Sequence, residues 1–168
     1  MKLRMILMTA LLAVCSGCNS TPPDTSAQDQ TDIKALEDSM TAAFKAKDVN
    51  AIMALYTPDS AMVVFDATTP LQYTGADAYK KDWQDFFAMY PGPADFSIGN
   101  LDITTGGTIA YSHSIQHASL TDKDGKKTDL TVRVTDGYKK VNGHWLIAHE
   151  HVSVPVDFAT LKPDLNAK

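Results

Sequence analysis

The stretch from Trp145 to Pro155, WLIAHEHVSVP, sets two histidines and a glutamate inside a run whose other residues suit a buried strand. A titratable side chain is costly in such a place unless it is paired or put to use. Imidazole exchanges protons near neutral pH, and a carboxylate beside it fixes one tautomer and raises its basicity. On a strand, side chains alternate between faces. His149 and His151 therefore share one face and Glu150 takes the other. His113 and Asp136, in the two preceding alternating segments, are the groups that could complete such a site.

Turn chemistry sets the expected register. Asn142-Gly143 is a strong two-residue hairpin signal, and Asp124-Gly125 is a second. Counting back from the first turn, Val141 faces His144, Tyr138 faces Ile147 and Asp136 faces His149. Counting from the second, His113 faces Asp136. The two hairpins together predict a row of His113, Asp136 and His149 across three strands about 4.8 Å apart, within hydrogen-bonding reach of one another. The same face would carry Tyr111, Tyr138, Trp145 and His151, and, being the more aromatic, it is expected beneath the helices. Glu150 would lie on the other face, diagonal to Arg133, as a structural ion pair. A single-residue bulge in either hairpin would break the row.

Three roles are open to the His113, Asp136 and His149 cluster: acid–base catalysis, orientation of a ligand, or a satisfied buried network without chemistry. Two histidines and an aspartate could also bind a metal. Ligands along one flat row must bend toward one point, however, and no metal is expected.

The elements that must position these groups read as helices first and strands afterwards. From Asp32 to Lys47, Ile33, Leu36, Met40, Ala43 and Phe44 recur at helical spacing. DVNAIMALYT continues as a short second helix ended by Pro58. Ala61 to Asp66 is a strand candidate. Thr74 to Asp77 has the form of a capping box opening a third helix through Tyr79, Trp83, Phe86, Phe87 and Tyr90. Four alternating segments follow: residues 96–104, 108–121, 129–141 and 144–154. This order predicts an α+β fold with three N-terminal helices on one face of a curved, mainly antiparallel sheet. Trp83 or Phe87, with Met40, Phe44, Tyr56 and Phe65, would wall a cavity suited to a small, mostly apolar molecule.

The chain has 168 residues, 44% hydrophobic and 21% charged, which suits one domain. Before it stands MKLRMILMTALLAVCSGC, a basic start followed by an apolar run too short to span a bilayer. Its Ser16-Gly17-Cys18 ending resembles the bacterial lipobox, in which the cysteine is lipidated and becomes the first mature residue; Cys15 stands where leucine is usual. A plain cleaved signal peptide is the alternative. The expected division is a signal peptide over 1–17, a polar, proline-bearing tether over 18–30, the domain over 31–158 and a tail over 159–168. Cleavage before Cys18 removes Lys2 and Arg4 and takes the formal net charge from −5 to −7. No concentrated basic face exists to meet a nucleic acid.

The DVNAIMALYTPDSAMV run, the helix opened at Gly75 and above all VNGHWLIAHEHVSVP resemble the nuclear transport factor 2-like superfamily, specifically its SnoaL-like and DUF4440 branches. Ketosteroid isomerase and the kinase II association domain are related to these. The resemblance covers roughly residues 30–158 and implies a cone-shaped fold with a pocket on its helix-covered side. It also implies a homodimer paired through the open sheet face. Against ketosteroid isomerase, the tyrosine of the first helix is replaced by Met40 and the strand aspartate by Phe65. Asp66 comes one residue late and is expected to face the wrong way. His113 with Asp136 is the nearest analogue of the histidine–aspartate pair of SnoaL-like cyclases. The chain is thus expected to bind a small molecule in the cell envelope. It needs no cofactor, and its chemistry, if any, is of isomerase, cyclase or dehydratase type with His113, Asp136 and His149 as catalytic groups. His151, Tyr138, Tyr111, Trp83, Phe65 and Trp145 would contact the ligand. A non-catalytic binding or interaction module is the alternative.

Overall fold

The computed structural model describes residues 25–167; the signal segment, Cys18 and the tether up to residue 24 lie outside the described residues. Helices α1 (Ser26–Ala46), α2 (Val49–Met53) and α3 (Ala76–Met89) pack on a six-stranded sheet. Its strands are β1 (Val63–Phe65), β2 (Tyr73–Thr74), β3 (Ala94–Gly106), β4 (Ile109–Thr121), β5 (Lys127–Val141) and β6 (His144–Ser153). Their order is β2-β1-β6-β5-β4-β3, antiparallel throughout except where β1 runs parallel to β6. A small hairpin, β7 (Val156–Asp157) with β8 (Lys162–Pro163), follows.

Helix α1 starts at Ser26, earlier than the apolar period alone suggests. The reason is tertiary. Asp29, in the first turn, is buried, and its carboxylate accepts bonds from Lys140 Nζ, from Trp145 Nε1 at 3.1 Å and from the Thr25 hydroxyl at 2.6 Å. The Lys140 bond above all holds this carboxyl below its usual pKa, so it stays anionic at the positive end of the helix. Trp145 is therefore an anchor for α1 and does not reach the cavity.

Asp48 caps α2 by accepting from Ala51 N at 3.0 Å. The capping box expected at α3 does not form. Thr74 is held in β2 opposite Val63, its hydroxyl takes the Gln72 amide, and Gly75 starts the helix at φ 83° with no side-chain cap. Phe44 of α1 stacks on Phe96 of β3 at 4.3 Å and meets Phe87 of α3 at 5.4 Å, joining both helices to the sheet.

The described part of the expected tail, residues 159–167, is held to the sheet. Strand β6 ends at Ser153 opposite Arg133, and beyond it the Leu165 carbonyl takes over as neighbour of β5, accepting from Thr131 N at 2.7 Å.

The register departs from strict alternation at two places, and both matter. The Asn142-Gly143 turn forms as expected, with φ 51° and 84°, Val141 facing His144 and Tyr138 facing Ile147. Then Ala148 is inserted as a bulge, so Gly137 faces His149 and Asp136 faces Glu150. The β4–β5 connection is longer than two residues. Thr121 faces Lys127, and the Asp122 carboxylate ties the loop over 122–126 by accepting from Asp124 N and Lys126 N, both at 2.9 Å. Ser112 therefore faces Asp136, and His113 faces Thr135.

The expected row of His113, Asp136 and His149 is accordingly replaced by Ser112, Asp136 and Glu150. His113 and His151 are exposed on the outer face of the sheet. His149, half-buried there, donates Nδ1–H to the Val63 carbonyl at 2.8 Å and lies 5.1 Å from the Phe65 ring. Phe65 and Tyr111, expected at the ligand, are on the same outer face, 38% and 52% exposed. One inserted residue turned every later β6 side chain over.

Candidate functional site

A cavity of about 590 Å³ lies between α1, α3 and the concave side of the sheet. Its walls are mostly apolar: Met40 and Phe44 from α1, Trp83 and Phe86 from α3, and Leu120, Leu130 and Val132 from the strands are among them. The exposed lining residues are Ala67, Thr68 and Thr69, Asp85 and Met89, and Pro163 and Leu165, which places the mouth between the β1–β2 loop, α3 and the C-terminal segment.

At the inner end three carboxyls converge. Glu150 is buried, and each oxygen is taken by a phenol: Tyr56 donates to Oε2 at 2.6 Å and Tyr79 to Oε1 at 2.6 Å. Tyr56 is fixed by backbone bonds to Ile147 on either side of it, Thr57 N to Ile147 O at 2.8 Å and Ile147 N to Leu55 O at 2.9 Å. Tyr79 lies in the first turn of α3. Glu37 shares the inward stripe of α1 with Ile33, Met40 and Phe44, and accepts from the Tyr138 hydroxyl at 2.6 Å. Ser112 lies 2.7 Å from the same phenol oxygen and, since Tyr138 gives its proton to Glu37, donates to it. Tyr138 thus supports the site without lining the cavity.

Asp136 completes the group. It is 1% exposed, borders the cavity and faces Glu150 across the strand pair, yet its Oδ1 has no hydrogen-bond partner. Trp83 Nε1, also buried and also at the cavity, has none either. Buried polar atoms are seldom left so, and two that border one cavity are open to a ligand.

Burial, and then the charges of Glu150 and Glu37, push the Asp136 carboxyl well above its usual range. Burial also raises Glu150, while the bonds from Tyr56 and Tyr79 pull the other way. Two facing carboxyls cannot both be anionic at no cost. Of the two, Asp136 is favoured as the holder of the proton, which its hydrogen bond to Glu150 shares, while the two phenols favour the Glu150 anion. Burial, partly offset by the Tyr138 bond, brings Glu37 up to about 7. Asp66, at the cavity after β1, is raised to about 6 by burial and by the charges of Asp82 and Glu150. The expectation that Asp66 faces away is overturned: Val64 is the inward residue opposite Glu150, Phe65 points outward, and the chain turns Asp66 back toward the cavity. Among the described residues no cluster of three or more His, Cys, Asp or Glu is arranged to hold a metal ion.

Of the residues expected at the site, Asp136 and Trp83 border the cavity; His113, His149, His151, Tyr111 and Phe65 are on the outer face; Tyr138 and Trp145 are buried beside it. Glu37, Tyr79, Ser112, Asp66 and Glu150 were not singled out as site residues, and Tyr56, expected as a cavity wall, instead caps Glu150. Glu37 left a signal, an acid on the apolar stripe of α1, which a helix tolerates only for a reason.

The SnoaL-like domain family matches residues 33–157. No curated protein matches the chain. Among solved structures, an NTF2-like protein of unknown function from Pseudomonas putida KT2440 is 29% identical, with a TM-score of 0.76 over 85% of this chain and 98% of that one. A nuclear transport factor 2-like superfamily protein from Salmonella enterica is 15% identical, with a TM-score of 0.71 over 79% and 94% of the two chains. A ketosteroid isomerase-like protein from Erwinia carotovora atroseptica is 21% identical, with a TM-score of 0.64 over 75% and 95%. With most of its length matched and the conical, half-covered sheet in place, this chain belongs to the SnoaL-like domain family.

Proposed function

We propose that the cavity binds a small, mostly apolar molecule carrying a carbonyl or hydroxyl oxygen, and that Asp136 and Glu37 move protons on it. The single observation behind this reading is the unpartnered, buried Oδ1 of Asp136 at the inner end of an apolar cavity. A protonated Asp136 that turns its proton from Glu150 to the ligand oxygen stabilises negative charge that develops there. Glu37, titrating near neutrality, takes the proton from a carbon next to the carbonyl and can return it to another position. Bond order shifts within the substrate and no cofactor is consumed, which is isomerase- or lyase-type chemistry. The name ketosteroid isomerase-like, borne by the Erwinia protein, is compatible with this class but rests on fold alone.

A non-catalytic binder of the same fold is the second reading, favoured by the complete capping of Glu150 by Tyr56 and Tyr79. β-Tetralone in deuterium oxide separates the two. Exchange of its α-protons above the buffer rate, reduced about tenfold or more by Asp136→Asn and by Glu37→Gln, supports catalysis. Binding without exchange supports the binder, and no binding by β-tetralone or Nile red counts against both.

The lipobox-like Ser16-Gly17-Cys18 supports a cell-envelope site, with the protein held by lipid on Cys18. Labelled palmitate incorporated by the natural chain and lost in Cys18→Ser is the expected result. The outer sheet face, with Phe65, Ile109 and Tyr111 exposed, is where a second copy would pair. Sedimentation analysis tests this.

A further inference from the structure

The cavity wall has a charge as well as a shape. Glu37, Asp66, Asp82, Asp85, Asp136 and Glu150 all border it, and among the described residues no lysine, arginine or histidine does. Among the described residues, Asp85 alone of these six has an ion-pair partner, Lys81 on the outer side of α3. Phenols satisfy Glu150, Glu37 and Asp82, the last from Tyr73 at 2.6 Å. A phenol offers a proton and brings no positive charge. Lys81 apart, no cation among the described residues pairs with the acids of the wall, in a place where apolar walls strengthen every Coulomb interaction.

Two of the acids sit toward the mouth rather than at the inner end. Asp66, after β1, and Asp82, on α3, are half-buried and close enough for their charges to interact. Beside them are Trp83 and Phe86, whose rings lie 5.9 Å apart and nearly perpendicular. Carboxylates flanked by aromatic faces make a seat for an organic cation. Deeper in, Asp136 Oδ1 still awaits a partner of its own, so a ligand filling the cavity spans both places.

Resting on the pocket reading above, we infer that the ligand is a cationic amine: an apolar, ring-bearing molecule whose ammonium group sits between Asp66 and Asp82 and whose far oxygen meets Asp136. Carboxylate-bearing molecules of the same shape are disfavoured, because their charge would meet the carboxylates of Asp66 and Asp82 at the seat. The chemical class is an aryl-alkyl amine with a carbonyl or hydroxyl group, and not a fatty acid or an acidic polyketide.

Three probes with one skeleton test this on the full-length protein by calorimetry: naphthylmethylamine, naphthalenemethanol and naphthoate. The amine is expected to bind about tenfold or more tightly than the alcohol, with naphthoate weakest. Added salt should shrink the amine's advantage. Asp66→Asn with Asp82→Asn should bring the amine-to-alcohol ratio toward one, and His113→Ala, on the outer face, should leave that ratio unchanged. If the double variant does not fold, the salt series on the natural protein still decides. Alcohol binding that equals or exceeds amine binding overturns the charge selection while leaving the pocket reading intact. A ratio indifferent to both salt and the double substitution overturns it as well. Failure of all three probes overturns both.

Discussion

Glu150 stands directly opposite Asp136 across β5 and β6, with the hydroxyls of Tyr56 and Tyr79 each 2.6 Å from one of its oxygens. The carboxylate therefore ties the α2–β1 connection and α3 to the sheet, besides setting the proton on its neighbour. Truncating it strands two buried phenols. Glu150→Ala should cost roughly 2–5 kcal/mol in urea unfolding, and Tyr56→Phe with Tyr79→Phe in the same background should recover part of that loss.

Stability should fall as pH rises through the range in which Glu37 titrates. Its carboxyl goes from a reference value of 4.5 to about 7 in the folded protein. Between those values the unfolded chain has released the proton and the folded one still holds it, so folding is favoured at the acid side and loses ground toward pH 7. The upward displacement of Asp136 acts in the same direction. A difference on the order of 3 kcal/mol is the upper bound for Glu37. Thermal melts should give a higher Tm at pH 5 than at pH 8, and Glu37→Gln should flatten the slope.

Filling the cavity should abolish binding without unfolding the protein. Leu130 is half-buried and borders the open space. Leu130→Trp places an indole there against Phe96 and Leu120. Stability should change by less than about 1 kcal/mol, because the added volume meets a void rather than a packed core. Nile red affinity should drop about tenfold or more.

The histidines should be dispensable for ligand binding. His113→Ala and His151→Ala alter exposed outer-face positions and should leave Nile red affinity within about twofold of the natural protein. His149→Ala removes the bond to the Val63 carbonyl and should cost about 1 kcal/mol of stability, again with little effect on binding. A selective loss of affinity in any of the three would show that the outer face reaches the cavity.

Much of the architecture was written in local pattern. The apolar spacing of Ile33, Leu36, Met40 and Phe44 determines a helix and its buried side, alternation marks β3 to β6, and Asn142-Gly143 sets its turn, because each of these is decided by residues close together in the chain. The family resemblance also came from contiguous stretches, and it put a pocket under the helices, where Asp136 and Trp83 are found. Which side chains of β4 and β6 enter that pocket was another matter. Side-chain direction has a period of two, so a loop longer than expected after Thr121 and the single extra residue Ala148 exchange His113 for Ser112 and His149 for Glu150. Neither irregularity has a strong local signature, and both depend on how the strands pack against their neighbours. The same holds for Asp29, Glu37 and Asp66: Lys140, distant in sequence, lowers the first, while burial under the fold, joined at Asp66 by the charge of Asp82, raises the other two. Local physics determined the elements; only the packed sheet decided which acids face one another in the dark end of the cone.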